Sequence, residues 1–360
     1  MIPSLPGDVI AILASTAAGL CLFLILFLVV RRSWIAWRGR TEEVLATRIE
    51  LMILEWLAGE MPSEVFSRRA LRPSRAHLGA LVRAVARVEK SGRNDLKARL
   101  VETDLPRRLV EALDSRRDRW TRAAAVRAMG VLAYAEGFSV LERTLADRDP
   151  DVAYTAATAL AALGSLDAAR ALLGRLGRES PLNNARLVTL VESMPCDIRP
   201  LLSELFLRDD PVAIFWGLGL VAEKKDYDRI EEVRPFLSHA DANIRAAAAE
   251  CVGRLRIPLT DRWLDLLLED SAWFVKCHAA KALGEMQAAW AAERILPLLE
   301  DREWWCRHNG VDALVLLGDS ALAPLERFLV ATEDRFARNS AVEALERLGW
   351  FDLTLDRAAG

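Results

Sequence analysis

The sequence predicts an all-α chain: one transmembrane helix near the N-terminus, then an α-solenoid of about eight 31-residue helix-pair repeats. Three observations predict it. Residues 9–30 form an uncharged run of 22 residues. A 31-residue repeat occupies the back two-thirds of the chain. Inside each copy the apolar and small residues recur at helical spacing and do not alternate as in a strand.

In chain order, the pattern predicts a short extracytoplasmic N-terminus over 1–8 and the transmembrane helix over 9–30. A basic juxtamembrane segment with a helix and connector follows over 31–75, then an N-terminal cap or degenerate repeat over 76–104, then the solenoid with a C-terminal cap over 105–360. At ~1.5 Å per residue the apolar run makes ~33 Å of helix, enough to cross a bilayer core. Asp8 bounds one end; Arg31, Arg32, Arg38 and Arg40 bound the other, with Trp34 and Trp37 among them as interface anchors. No Lys or Arg precedes the run, so the positive-inside rule puts the N-terminus outside and the solenoid in the cytoplasm. The run lacks the basic front, short apolar core and cleavage site of a signal peptide.

Thr41 is read as the cap of a helix over 42–59 that ends before Pro62, and 61–75 as a connector. Helical stretches over 78–88 and 96–101 make the cap. Position 1 of the repeat, the residue after its lead residue, falls at Thr121, Val152, Leu182, Val212, Ile244, Val275, Cys306 and Ala337, the last four in steps of 31. Small or apolar residues then recur at positions 4, 5 and 8, as in Ala247, Ala248 and Cys251 or His278, Ala279 and Ala282. A second, shorter apolar stretch, such as 263–268 or 295–299, predicts a second helix ending at an acidic pair. Gly130, Gly164, Gly253, Gly284 and Gly318 are read as helix ends or turns. Trp350, Phe351, Leu353 and Leu355 close the last repeat. One such unit cannot bury its apolar stripe alone, so the copies must stack.

The pattern Val275-Lys276, Ala279-Ala280, Ala282-Leu283-Gly284 resembles the short, bacterial-type HEAT repeat, and Ile244-Arg245 to Gly253 nearly repeats it. It is similar to the repeats of phycobilisome-lyase-like proteins, and the resemblance covers roughly residues 105–350. It implies a HEAT-type α-solenoid of the armadillo-like helical kind, used as a protein-binding surface. It also carries an alternative: a lyase- or chaperone-like enzyme acting at the concave C-terminal face.

Charge divides along the chain. Residues 68–127 carry 17 Lys and Arg against 7 Asp and Glu, and residues 128–360 carry 26 against 37. The basic block lies next to the anchor and suits anionic lipid headgroups. Few aromatics interleave with it, which disfavours nucleic acid. Five irregularly placed cysteines fit reduced thiols better than a disulfide framework. The Ala, Arg and Leu bias suits a GC-rich bacterium, and hence a single-pass protein of the bacterial inner membrane.

Position 2 is basic at Arg122, Arg245, Lys276, Arg307 and Arg338. These are read as a structural ladder of ion pairs, with Asp241, Asp270, Asp301 and Asp334 near them. Positions 3 and 7 share a helix face and hold Cys277 and Lys281, His308 and Asp312, Asn339 and Glu343 in the last copies. Trp273 and Trp304 stand one repeat apart, beside a second ladder of Phe274, Trp305 and Phe336. One ladder is expected under the turn and the other exposed. Together these residues make the candidate partner-binding surface.

No zinc site is expected, because Cys306 and His278 should point inward and Cys277 and His308 outward. The chain has no phosphate loop, nucleophile elbow or His-Glu metal motif. The expectation is a non-enzymatic, cofactor-free scaffold that recruits a protein partner, with no small-molecule substrate, as an accessory subunit of an envelope-polysaccharide or secretion complex.

Overall fold

A computed structural model describes residues 7–350 except 89, 115–116, 133–136, 179–181 and 258–259, and describes no side chain at 7–18, 34–42, 90 or 91. Among the described residues every regular element is helical. The chain divides into two compact units, 1–163 and 164–360.

The first unit holds α1 (Gly7–Leu57), α2 (Ser63–Ala70), α3 (Arg75–Arg87), α4 (Lys90–Val101), α5 (Leu105–Ala112), α6 (Arg119–Leu132), α7 (Phe138–Thr144) and α8 (Pro150–Leu163). Thr41 does not start a helix: its backbone lies inside α1, which runs unbroken to Leu57. The supposed connector contains α2, which stacks Phe66 on Trp56 at 4.6 Å between ring centres. Helix α3 packs between α1 and α6, and α6 packs on α8. The buried Ala46, Ile49 and Ile53 of α1 and Leu78, Leu81 and Val85 of α3 make that core.

The second unit holds α9 (Leu166–Leu173), α10 (Asn184–Glu192), α11 (Arg199–Phe206), α12 (Pro211–Glu223), the one-turn α13 (Ile230–Val233), α14 (Ala242–Leu255), α15 (Trp273–Glu285), the one-turn α16 (Ala292–Ile295), α17 (Trp304–Leu317), α18 (Leu322–Ala331) and α19 (Arg335–Arg347). The long helices α12, α14, α15, α17 and α19 pack in succession. Three of the expected second helices are largely 3-10 coil: Arg234–Ser238, Thr260–Glu269 and Leu296–Glu300. Pro235 and Pro297 open two of them and lack the N–H that an α-helical bond there would use.

The period is written in helix caps. Asp118 and Asp149 accept backbone N–H bonds at the starts of α6 and α8, and Asp210, Asp241 and Asp334 do so for α12, α14 and α19. Each such cap is worth about 1 kcal/mol. The caps also correct the register. In α12 the buried position is Ala213, while Val212 is partly exposed; Leu182 precedes α10, whose cap is Asn183.

Gly130, Gly253 and Gly284, read as helix ends or turns, do fall in the last turn of α6, α14 and α15, but without positive φ. A Cβ on Gly130 would stand 2.7 Å from the Ala159 Cβ, one on Gly253 2.6 Å from the Ala282 Cβ, and one on Gly284 3.0 Å from the Ala313 Cα. They are the points where neighbouring long helices touch. Gly164 and Gly318 do adopt positive φ, at 65° and 63°.

Among the described residues no helix is long and apolar enough to cross a membrane. The expected span over 9–30 lies partly outside them, since side chains are described only from residue 19. Residues 1–6 and the side chains of Trp34, Trp37, Arg38 and Arg40 also lie outside, as do Phe351, Leu353 and Leu355; Arg31 and Arg32 are exposed.

Candidate functional site

The position-2 residues are tied into the stack. Arg245 donates from Nε to Asp270 at 2.6 Å and from Nη1 to the His239 carbonyl at 2.8 Å. Arg122 does the same with Asp147 at 3.0 Å and the Arg117 carbonyl at 2.8 Å, and Lys276 pairs with Asp301. Arg122 and Arg245 thus join their own helix entry to the next repeat, and Lys276 reaches the next repeat alone. The hydrogen bond from Arg245 holds the Asp270 carboxyl below its usual range. At the following rung Thr332 stands where the earlier rungs have an aspartate; Arg307 keeps the bond to its own helix entry, the Asp301 carbonyl at 2.8 Å, and its guanidinium carbon lies 5.6 Å from the centre of the Phe336 ring. Arg338 bonds the Thr332 carbonyl. Asp241 and Asp334, expected as ladder partners, are helix caps.

Val275, Ala279 and Ala282 of α15 are buried as expected, and so is Cys306, but Cys277 and His278 exchange the expected roles. Cys277 is buried and its Sγ lies 3.8 Å from that of Cys306, which is wholly buried. His278 is half-exposed, 3.7 Å from Glu250. In α15 position 3 is turned to the adjacent helix, where Cys277 meets Cys306; in α17 and α19 the same position, held by His308 and Asn339, is open. Burial pushes the Cys306 thiol up to about 12. Among the described residues no group of three or more His, Cys, Asp or Glu is placed to hold a metal ion.

Both aromatic ladders reach the surface. Trp304 is 53% exposed, Trp305 52% and Phe336 65%, and Trp273 is also exposed; Phe274 is partly covered. Trp304 and Trp305 meet edge to face at 4.7 Å, and the His308 ring stacks on Trp304 at 4.9 Å. His308 lies 3.6 Å from Asp312, which pairs with Arg347 at 2.7 Å, and Arg347 approaches Glu343 at 3.6 Å. Asn339 is exposed in α19, and Lys281 of α15 approaches Glu285 at 3.9 Å. Trp304, His308, Asp312 and Leu316 therefore form one stripe at four-residue steps along α17. Arg347 links this stripe to Glu343 of α19, while Trp273, Cys277 and Lys281 stand on α15 and Asn339 on α19.

The same face continues onto α14 and α12, which the sequence reading passed over. A groove of about 180 Å³ is lined there by Phe215, Trp216, Gly219, Ala247, Glu250 and Arg254 among others. A second, of about 260 Å³, continues through Glu250, Arg254, His278, Lys281 and Glu285. Gly219 and Ala247 leave the floor low, and a Cβ on Gly219 would meet nothing within 4 Å. The clue in the sequence was the adjacent Phe215 and Trp216 in an otherwise small-residue helix. The face offers aromatic surface ringed by ion pairs, a composition suited to holding polypeptide.

Residues 106–188 and 260–346 match the family model of HEAT repeats. The fold is similar to the karyopherin Kap121p. Its crystal structure bound to the extreme C-terminus of the protein phosphatase Cdc14p has a TM-score of 0.58 at 12% identity, covering 88% of this chain and 42% of that one. The structure bound to Nup53p has a TM-score of 0.57 at 12% identity, covering 83% and 39%. The structure bound to RanGTP has a TM-score of 0.57 at 12% identity, covering 77% and 36%. The chain spans about two-fifths of the length of these structures, and at such identity the likeness shows the fold alone. No curated protein matches the chain.

Proposed function

The chain is a HEAT-repeat α-solenoid, and from that premise we propose that it is a membrane-anchored scaffold holding a polypeptide partner on the face of α12 to α19. The observation that carries the reading is the pair of half-exposed tryptophans, Trp304 and Trp305, with His308 stacked on the first. Tryptophan in such a setting is costly to leave in water and is the commonest interface anchor. Kap121p, on a similar fold, is bound to a C-terminal segment of Cdc14p; an extended segment fits a stepped helical face of this kind. The role is binding, not catalysis.

The anchor is residues 9–30. In its favour, Leu20 and residues 22–30 are each 47–70% exposed on α1, an apolar rod that water covers poorly. Arg31 and Arg32 follow at once, which sets the solenoid on the cytoplasmic side of a bacterial inner membrane.

The test is photocrosslinking in native cells from positions 304 and 308, with the highly exposed Val330 of α18 as control. A discrete protein adduct from the first two alone is the expected result. Equal adducts from all three, or none from 304 and 308, would discard this face.

A further inference from the structure

Beyond its apolar run, helix α1 has two unlike sides. One is packed: Ala46, Ile49 and Ile53 are buried, and Arg83 and Arg87 of α3 reach Glu43 and Glu50 at its edge. The other is bare. Val44 is 66% exposed, Leu51 56% and Leu54 58%, and Thr47 between them is exposed too.

The spacing of these four selects a helix as their partner. Val44, Thr47, Leu51 and Leu54 follow one another at steps of three, four and three, the alternation along which two helices meet in a coiled coil. At 3.6 residues per turn the same steps keep all four on one side of α1, away from Ala46, Ile49 and Ile53. Arg40 holds the next such position toward the apolar run, and Ala58 holds the next one beyond, just after α1 ends. The stripe is therefore short, and a pairing along it needs help from elsewhere in the chain.

Helix α1 supplies that help, because it is unbroken from Gly7 to Leu57. Copies anchored in one bilayer by residues 9–30 run parallel and show the stripe at one height. Confinement to one membrane raises the effective concentration of the second copy as a tether does. The flanking charges suit a parallel pair. In that arrangement Arg48 comes opposite Glu43 of the other copy. Arg48 is exposed and has no ion pair among the described residues. Glu55 comes opposite Glu50, whose charge Arg87 already offsets at 3.3 Å.

We infer that this stripe binds a second copy of the chain, with the two α1 helices parallel and in register. Like residues then meet across a two-fold axis: Val44 with Val44, Leu51 with Leu51, Leu54 with Leu54. The direction of the pair rests on the anchor proposed above; the stripe itself does not.

The test is disulfide trapping of the full chain in the membranes of cells that make it. Cys21→Ser and Cys196→Ser first remove the thiols that are not buried. Val44→Cys, Leu51→Cys and Leu54→Cys then place single cysteines on the stripe, and Met52→Cys places one off it, with copper phenanthroline as oxidant. Same-residue bridges, read as the doubled chain, are expected at 44, 51 and 54 and not at 52. Adding Leu51→Arg should cut the bridge at 54 at least about tenfold, since each pair loses two covered leucines. Leu51 is exposed in the single chain, so the melting temperature should hold. With the chain in the membrane fraction, no more bridging at 44 and 54 than at 52 would overturn the pairing and leave the anchor standing. A bridge at 51 without those at 44 and 54 would mark crossed or antiparallel helices and overturn the parallel pair. A bridge to a different protein in place of the doubled chain would overturn the assignment to a second copy. Extraction of the chain by alkaline carbonate, with the bridges at 44 and 54 intact, would bring down the anchor and uphold the pairing.

Discussion

Gly253 of α14 lies directly against Ala282 of α15: a Cβ on the glycine would stand 2.6 Å from the alanine Cβ and 2.7 Å from its Cα. The contact recurs between Gly130 and Ala159 and between Gly284 and Ala313, always 29 residues apart. Here helix packing, and not backbone conformation, demands glycine.

Gly253→Ala should therefore destabilise the chain by about 1–3 kcal/mol through overpacking, although alanine is the better helix former. Gly219→Ala, in open space on α12, should stabilise by about 0.5–1 kcal/mol. Urea midpoints of the two variants should move in opposite directions, and a common direction would refute the close-contact account.

Arg245→Ala should cost about 2–3 kcal/mol, because it leaves the largely covered Asp270 carboxylate with the Ala272 N–H but without its cation. Arg347→Ala, at a surface pair, should cost about 0.5 kcal/mol or less. A loss of partner binding without a loss of stability in Arg245→Ala would show that the ladder serves recognition.

The acid limb of stability should shrink in Asp270→Asn. Asp270 titrates lower in the fold than its ordinary 3.8, held down first by the hydrogen bond from Arg245. The unfolded chain thus takes up the proton first. The contribution is complete above the ordinary value and is lost as pH falls through the lowered one. Melting curves between about pH 5 and 2 should fall less steeply for the variant than for the wild type.

Trp304→Ala should weaken partner binding by about 2 kcal/mol, roughly thirtyfold, with little change in melting temperature. Asn339→Ala, at the edge of the face, should matter far less. Binding of the crosslinked partner to each purified variant gives the comparison.

Alkylation should find Cys196 well before Cys251, Cys277 and Cys306. The last three are buried, and burial pushes the Cys251 and Cys306 thiols up to about 12. Peptide mapping after a short native exposure to iodoacetamide measures the order; early labelling of Cys306 would contradict its enclosure between α15 and α17.

Much of this architecture was legible because stacking repeats its demands every 31 residues: a small residue where helices touch, a basic one at the rung. What was missed has local causes. Cys277 looked outward on a lone helix, and only the neighbouring helix buries it. Gly253 and Gly284 do stand at helix ends, but the neighbouring helix and not a turn requires them, and in sequence the two demands are the same letter. Val212 took the place of Ala213 because the apolar pattern was followed in preference to the Asp210 cap and the helix-starting Pro211. The aromatic face was half visible: the Trp273 and Trp304 ladder stood out by its period, whereas Phe215 and Trp216 occur once.

Helix α1 carries a mechanical consequence. Between residue 31 and Leu57 it has no proline and a single glycine, Gly39, and its last turns are clamped to α3 by Arg83 and Arg87. A rod of this kind has no swivel between its apolar stretch and its clamp. On the proposed anchor, any tilt of the apolar stretch in the bilayer would be delivered as a lever stroke to α3, so membrane thickness and lateral tension would become inputs to the strain on these arginine clamps.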